Sequence, residues 1–112
     1  MAIQNKLVRA PANTITTVPG AAITAPTFAF EDTYAVFYTR DAAAGAPASP
    51  NAFNTVVTIT KTNSTDVFAL GADVFLDVSE QEALTVGGDG KMGICSKASA
   101  NGDLTVEVYL NV

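Results

Sequence analysis

Apolar and polar residues alternate with a period of two along much of the chain, and that period predicts strands rather than helices. Asn54 to Lys61 places Val57 and Ile59 on one side, Thr58 and Thr60 on the other. Asp73 to Val78 sets Val74, Leu76 and Val78 against Asp73, Phe75 and Asp77. Asp103 to Val112 sets Leu104, Val106, Val108 and Leu110 against Thr105, Glu107, Tyr109 and Asn111. A one-residue slip there would bury Glu107, so the register is well specified. Tyr34 to Thr39 reads as a strong strand with Tyr34, Val36 and Tyr38 on one face. Shorter strands are expected at Thr14 to Val18, around Ile23, and at Ala83 to Val86 and Lys91 to Ser96, while Val67 to Leu70 is a short apolar piece that Gly71 breaks. Pro26 confines the segment around Ile23 to an edge.

Gly, Pro, Asn and Asp punctuate these runs. Turns fall at Pro19-Gly20, Asn63 to Asp66, Ser79 to Glu82 and Asn101-Gly102. Gly87-Gly88-Asp89-Gly90 is a turn that supplies positive φ. About eight short strands, with no helical period longer than two turns, predict an all-β fold. The expected architecture is a small single-domain β-sandwich or jelly-roll-like barrel. Residues 1–112 read as one domain, with a flexible N-terminal arm at 1–12 and a Pro/Gly-rich exposed loop at 41–52.

Composition narrows the function. A chain of 112 residues has room for one core. With 48% apolar and 15% charged residues it is not a disordered segment. Eleven acids against six cations give a charge of −5. That field repels phosphate backbones and no basic run overrides it, so nucleic acid is not an expected partner. Pro11, Pro19, Gly20 and Pro26 break the stretch after Lys6 and Arg9. We therefore expect neither a signal peptide nor a membrane span, and folding in a reducing cytoplasm. The single cysteine, Cys95, has no internal partner and reads as a small buried hydrophobe.

The residue types for most enzymatic sites are missing. Without histidine no Ser-His-Asp or Cys-His machinery and no His/Cys zinc site can be assembled from one chain. Gly87 to Lys91 ends in Gly-Lys like a phosphate-binding loop. Met92 follows instead of Ser or Thr, and Thr85 stands where the first glycine belongs, so the segment reads as a hairpin turn. Asp73, Asp77, Glu80 and Glu82 form an acidic run, but Asp73 and Asp77 on one strand face stand roughly 13 Å apart and read as a solvated face. No Ser-x-x-Lys occurs, and a paired-carboxylate hydrolase needs a cleft that so short a chain has little material to build. No catalytic, metal or cofactor residue is assigned. Tyr34, Phe37 and Tyr38 form an aromatic group suited to core or subunit-interface packing.

The C-terminal half resembles a known family. Gly71-Ala72-Asp73-Val74-Phe75-Leu76-Asp77 looks like the G-D-x-V-Y-W-D strand of the DUF2190 proteins. Leu84-Thr85-Val86-Gly87-Gly88 resembles the T-x-x-x-x-G stretch that follows it. Met92 to Ala98, then Asn101-Gly102-Asp103-Leu104-Thr105-Val106-Glu107-Val108-Tyr109-Leu110-Asn111, is similar to the family's C-terminal I-G-x-A-x-x-A-A-x-G-D-x-T-V-x-V-x-L-N. Ala35 to Gly45 resembles the earlier G-V-A-x-T-D-A-A-A-G segment more weakly. The good match covers residues 71 to 112, and residues 11 to 34 depart from the pattern.

The resemblance implies a small non-enzymatic protein of bacteriophages and prophages, with capsid cement or decoration as its role. It implies a virion location after synthesis in the host cytoplasm. The implied partners are the major capsid protein and other copies of this chain, as a homotrimer or, next, a dimer. Part of the apolar 48% then serves as interface. Candidate interface residues are Lys6 and Arg9, facing acidic capsid surface, with Tyr34, Phe37, Tyr38 and Tyr109. Two other readings stand beside it: another phage head or tail component, and a β-barrel module for a small ligand or carbohydrate.

Overall fold

The computed structural model describes residues 13–112, so Lys6, Arg9 and the arm expected at 1–12 lie outside the described residues. The chain forms β1 (Thr27–Glu31), β2 (Tyr34–Tyr38), β3 (Val56–Thr60), β4 (Asp73–Asp77), β5 (Glu82–Leu84), β6 (Gly90–Lys97) and β7 (Thr105–Leu110). The expected all-β class is the one observed, with no helix among the described residues. β1 and β2 make a hairpin, and the other five strands make an antiparallel sheet in the order β3–β7–β6–β4–β5.

That sheet curls back on itself. Five antiparallel strands leave the two edge strands parallel to each other. Lys61, just past β3, bridges Ala83 of β5 in the parallel sense. The Thr62 N–H donates to the Ala83 carbonyl at 3.0 Å. Rows of inward side chains follow from the register: Val57, Val108 and Cys95 in one, Ile59 and Val106 in the next, Leu110 beside Gly93 and Val74 in a third. All are buried. Each large apolar side chain moved out of water here contributes roughly 1.5–3 kcal/mol. The result is a small barrel filled by its own side chains. The paired four-stranded sheets of a jelly roll are not the arrangement seen.

A bulge between Val74 and Phe75 shifts the β4–β6 register and lets consecutive residues Met92 and Gly93 both be buried. Only glycine fits at the second position, because a Cβ there would stand 2.0 Å from the Tyr109 carbonyl oxygen. Both barrel ends are closed. Phe68 packs into the core at the end formed by residues 61–72 and 97–104. Phe28 and Ala35 of the hairpin join the core at the other, backed by Phe30 and Phe37. Side-chain amides of Gln81 and Asn111 fix the hairpin to the barrel. Its opposite face, Val36 and Tyr38, packs with Ala52 into a second cluster that includes Ile15, Ile23 and Ala48. Tyr34-Ala-Val-Phe-Tyr38 is nearly all apolar because both faces of β2 are covered.

Seven strands lie among the described residues, close to the expected number of about eight. Thr14, Thr17, Ile23 and Phe68 make single bridging pairs, with Asn51, Ala48, Ala42 and Ser99. Their partners lie in irregular backbone, so no ladder propagates. Residues 41–52 are largely at the surface, yet these bridges tie them to the segment before β1. The last strand begins at Thr105, not Asp103. The Asp103 carboxylate accepts from the Ala100 N–H at 2.8 Å and holds the turn open through Leu104. Leu104 is consequently exposed rather than on the inner face with Val106, Val108 and Leu110.

Candidate interaction surfaces

The expected aromatic group is divided by the two faces of β2. Tyr38 is 2% exposed. Its hydroxyl donates to Glu31 Oε1 at 2.6 Å, which leaves Thr17 Oγ1, 2.9 Å away, to donate to the phenol oxygen. Burial first, then the hydrogen bond to Glu31, raises the phenol pKa above its usual value. Phe37 stacks on its register partner Phe28 at 4.5 Å between centroids. Tyr38 and Phe37 are thus used inside the chain. Tyr34 is 44% exposed and meets Phe53 edge-on at 5.3 Å. Tyr109 lies half-buried on the outer wall, its hydroxyl 3.4 Å from Asn54 Oδ1.

Among the described residues two groupings of exposed apolar side chains stand out beside the single residues Val18, Val86 and Val112. One is the outer wall, where register sets Val56, Tyr109 and Ile94 side by side across β3, β7 and β6. The other is the barrel end opposite the hairpin. It carries Val67, Leu70 and Leu104, which are 62%, 72% and 71% exposed. The loops that bear them are pinned. Buried Lys61 donates from Nζ to the carbonyls of Asp66 at 2.6 Å and Ala100 at 3.0 Å. Phe68 and Ser99 exchange two backbone hydrogen bonds at 2.9 Å, and the Gly102 N–H donates to Ser64 O at 2.8 Å. Sequence reading took Lys61 as the polar end of a strand. Its one signal was position, since the inward parity of Val57 and Ile59 passes to residue 61.

Few of the charged groups among the described residues pair with one another. Asp73 pairs with Lys91 at 3.0 Å. Asp77 accepts from the Ser79 hydroxyl at 2.8 Å and from the Glu80 N–H, which hold its pKa below the usual carboxylate value. Among the described residues no three Asp, Glu or Cys side chains are placed to hold a metal. Cys95 is buried, as expected, and its thiol donates to Lys97 O at 2.9 Å. No helix of the described residues is long and apolar enough to cross a membrane. An open groove of about 590 Å³ runs beside residues 39–43 and 47–51 and includes Arg40 and Asp41.

A filled barrel with apolar side chains held on pinned loops is the anatomy of a structural β module whose chemistry lies on its surface. A family model described as phage cement protein matches residues 9–110, and the chain belongs to that family. Membership makes it a phage structural protein of the capsid. The match extends the likeness read at 71 to 112 across the region 11 to 34 that was expected to depart from the pattern. No curated protein and no solved structure matches the chain.

Proposed function

We propose that the protein is a capsid cement subunit that docks on a phage head shell and stabilises it, carried in the virion after synthesis in the host cytoplasm. It works as a homo-oligomer, a trimer first and a dimer next. The observation that carries this reading is the barrel end that displays Val67, Leu70 and Leu104. Aliphatic side chains this exposed favour burial against a partner. Loops already pinned by Lys61 lose little conformational entropy on docking. In this reading that end meets the major capsid protein. The filled interior weighs against the small-ligand module, which needs an internal cavity.

The test adds purified protein to heads that lack it and follows shell melting by light scattering. Bound protein should raise the melting temperature of the shell. Leu70→Glu and Leu104→Glu should each abolish the rise without lowering the protein's own stability, because neither side chain is in the core. Shells that bind both variants as well as the parent would defeat this choice of surface.

A further inference from the structure

The outer wall of the barrel carries an apolar stripe that internal packing does not use. Val56, Tyr109 and Ile94 are neighbours across three strands, and Phe75 and Leu84 are partners across the remaining two. Between β6 and β4 the row is interrupted, because Ile94 faces Asp73 and Phe75 faces Lys91, so the continuous stripe is Val56, Tyr109 and Ile94. Val56 is 50% exposed, and the other four are half-buried. Acid and base alternate along its margins. Lys91 meets Asp73 at 3.0 Å, and Lys97 stands opposite Glu107 in the β6–β7 register.

The charge distribution singles out this wall. The surface cations among the described residues are Arg40, Lys91 and Lys97, and two of them flank the stripe. Asp77 and Glu82 instead face each other across β4 and β5 beside Phe75 and Leu84, with Glu80 and Asp89 in the adjoining turns, so the unpaired acids gather on the β4–β5 side and away from Val56, Tyr109 and Ile94. A chain with eleven acids and six cations repels its own copies over most of its surface. At the stripe each copy presents both signs, so two copies approach without a net penalty. An apolar centre with an aromatic anchor and a charged rim is the usual anatomy of a protein–protein contact.

We infer that this stripe is the contact between copies of the chain in its homo-oligomer. The inference rests on the proposed self-associating cement subunit and adds where its copies meet. Partner of the stripe is a second copy, and the barrel end with Leu104 is left for the shell. The two surfaces are then separable by mutation.

The test is Val56→Lys, which places a charge in the stripe at an exposed position outside the core. Mass is measured by light scattering coupled to size exclusion over a wide concentration range, with shell binding measured in parallel. The parent should hold a fixed oligomer, and Val56→Lys should weaken it by roughly thirtyfold or more while its circular dichroism spectrum stays that of the folded parent. A second readout does not depend on that variant folding. Val56→Cys should cross-link between copies with a short bis-maleimide, whereas Val86→Cys, exposed off the stripe, should not. Buried Cys95 does not compete for the reagent. If Val56→Lys keeps its mass and Val56→Cys fails to cross-link, the stripe is not the contact, although self-association stands. A Val56→Lys protein that keeps its oligomer but loses the shell assigns the stripe to the capsid and overturns the inference. A parent that is monomeric both in solution and on shells overturns the inference together with the homo-oligomer.

Discussion

The side-chain amide of Asn111 pairs with Ala35 as a neighbouring strand would. Its Oδ1 accepts from the Ala35 N–H at 2.8 Å, and its Nδ2 donates to the Ala35 carbonyl at 2.8 Å. The same Nδ2 also reaches Ala52 O at 2.6 Å. Gln81 repeats the device on the other strand of the hairpin. Its Oε1 accepts from the Phe28 N–H at 2.7 Å and its Nε2 donates to Phe28 O at 2.8 Å. Both residues sit at positive φ, 60° for Asn111 and 56° for Gln81. Two amides on residues at positive φ, each just past or between barrel strands, therefore replace the ladder that the hairpin cannot form with the barrel.

Asn111→Ala should cost about 2–3 kcal/mol, because it strands backbone groups of Ala35 and Ala52 in a part-buried site. Asn111→Gly relieves the left-handed backbone but not the lost bonds, and should recover only part of this. Urea unfolding measures the loss. Hydrogen exchange at the Ala35 amide should accelerate well beyond that at Val108. Equal acceleration at both sites would show that the hairpin does not open separately from the barrel.

Lys61→Met keeps an apolar stem and removes the ammonium that holds Asp66 O and Ala100 O. The expected loss is about 1–3 kcal/mol, the cost of removing a charged donor from two part-buried carbonyls. It should be concentrated at the barrel end opposite the hairpin. The amides of Phe68 and Gly102, which cross between the two loops, should exchange faster than that of Ala35. A variant as stable as the parent would mean that water replaces the ammonium at no cost.

Gly93→Ala should be much more damaging than Gly87→Ala, although both add one methyl group. At Gly93 the new Cβ meets the Tyr109 carbonyl oxygen at 2.0 Å, so the β6–β7 pairing has to part. The cost should reach or exceed the roughly 1–3 kcal/mol of an overpacked core. At Gly87, φ is 87° and nothing lies within 4 Å, so only the backbone term of about 1–2 kcal/mol applies. Thermal melts of the two proteins side by side decide this. Similar melting temperatures would refute the close approach at Gly93.

The barrel strands were legible because period-two alternation records burial on one face. Val57 and Ile59, and Val74 and Leu76, are buried as their pattern implied. The hairpin was half legible. Alternation put Tyr34, Val36 and Tyr38 on one face of β2 but carries no sign that its other face is covered by the barrel. Gln81 and Asn111 left no signal, since a polar residue in a turn, or on the polar face of a strand, reads as solvated. Leu104 misled because apolar parity continued through a turn that the Asp103 carboxylate holds open. The apolar barrel end escaped for a related reason: Val67 to Leu70 read only as a short apolar piece, which does not say that Phe68 alone faces inward.

Tyr38→Phe tests the buried network at the second cluster, and its effect should depend on pH. Near neutrality the variant loses the hydrogen bond to Glu31 and leaves that carboxylate without its donor. A bond to a charged group contributes about 1.5–3 kcal/mol. The folded-state phenol pKa is raised, by burial first and then by Glu31, so the fold prefers the neutral phenol. This contribution is fully present below the ordinary tyrosine pKa of about 10. It is lost as pH rises through the higher folded-state value. Urea midpoints of parent and variant from pH 8 upward should therefore differ most at the low end and converge at the alkaline end. Every other ionisable group is common to both proteins, so the difference between the curves isolates Tyr38. A difference that stays constant into the alkaline range would show that the Tyr38 hydroxyl does not resist ionisation in the folded state.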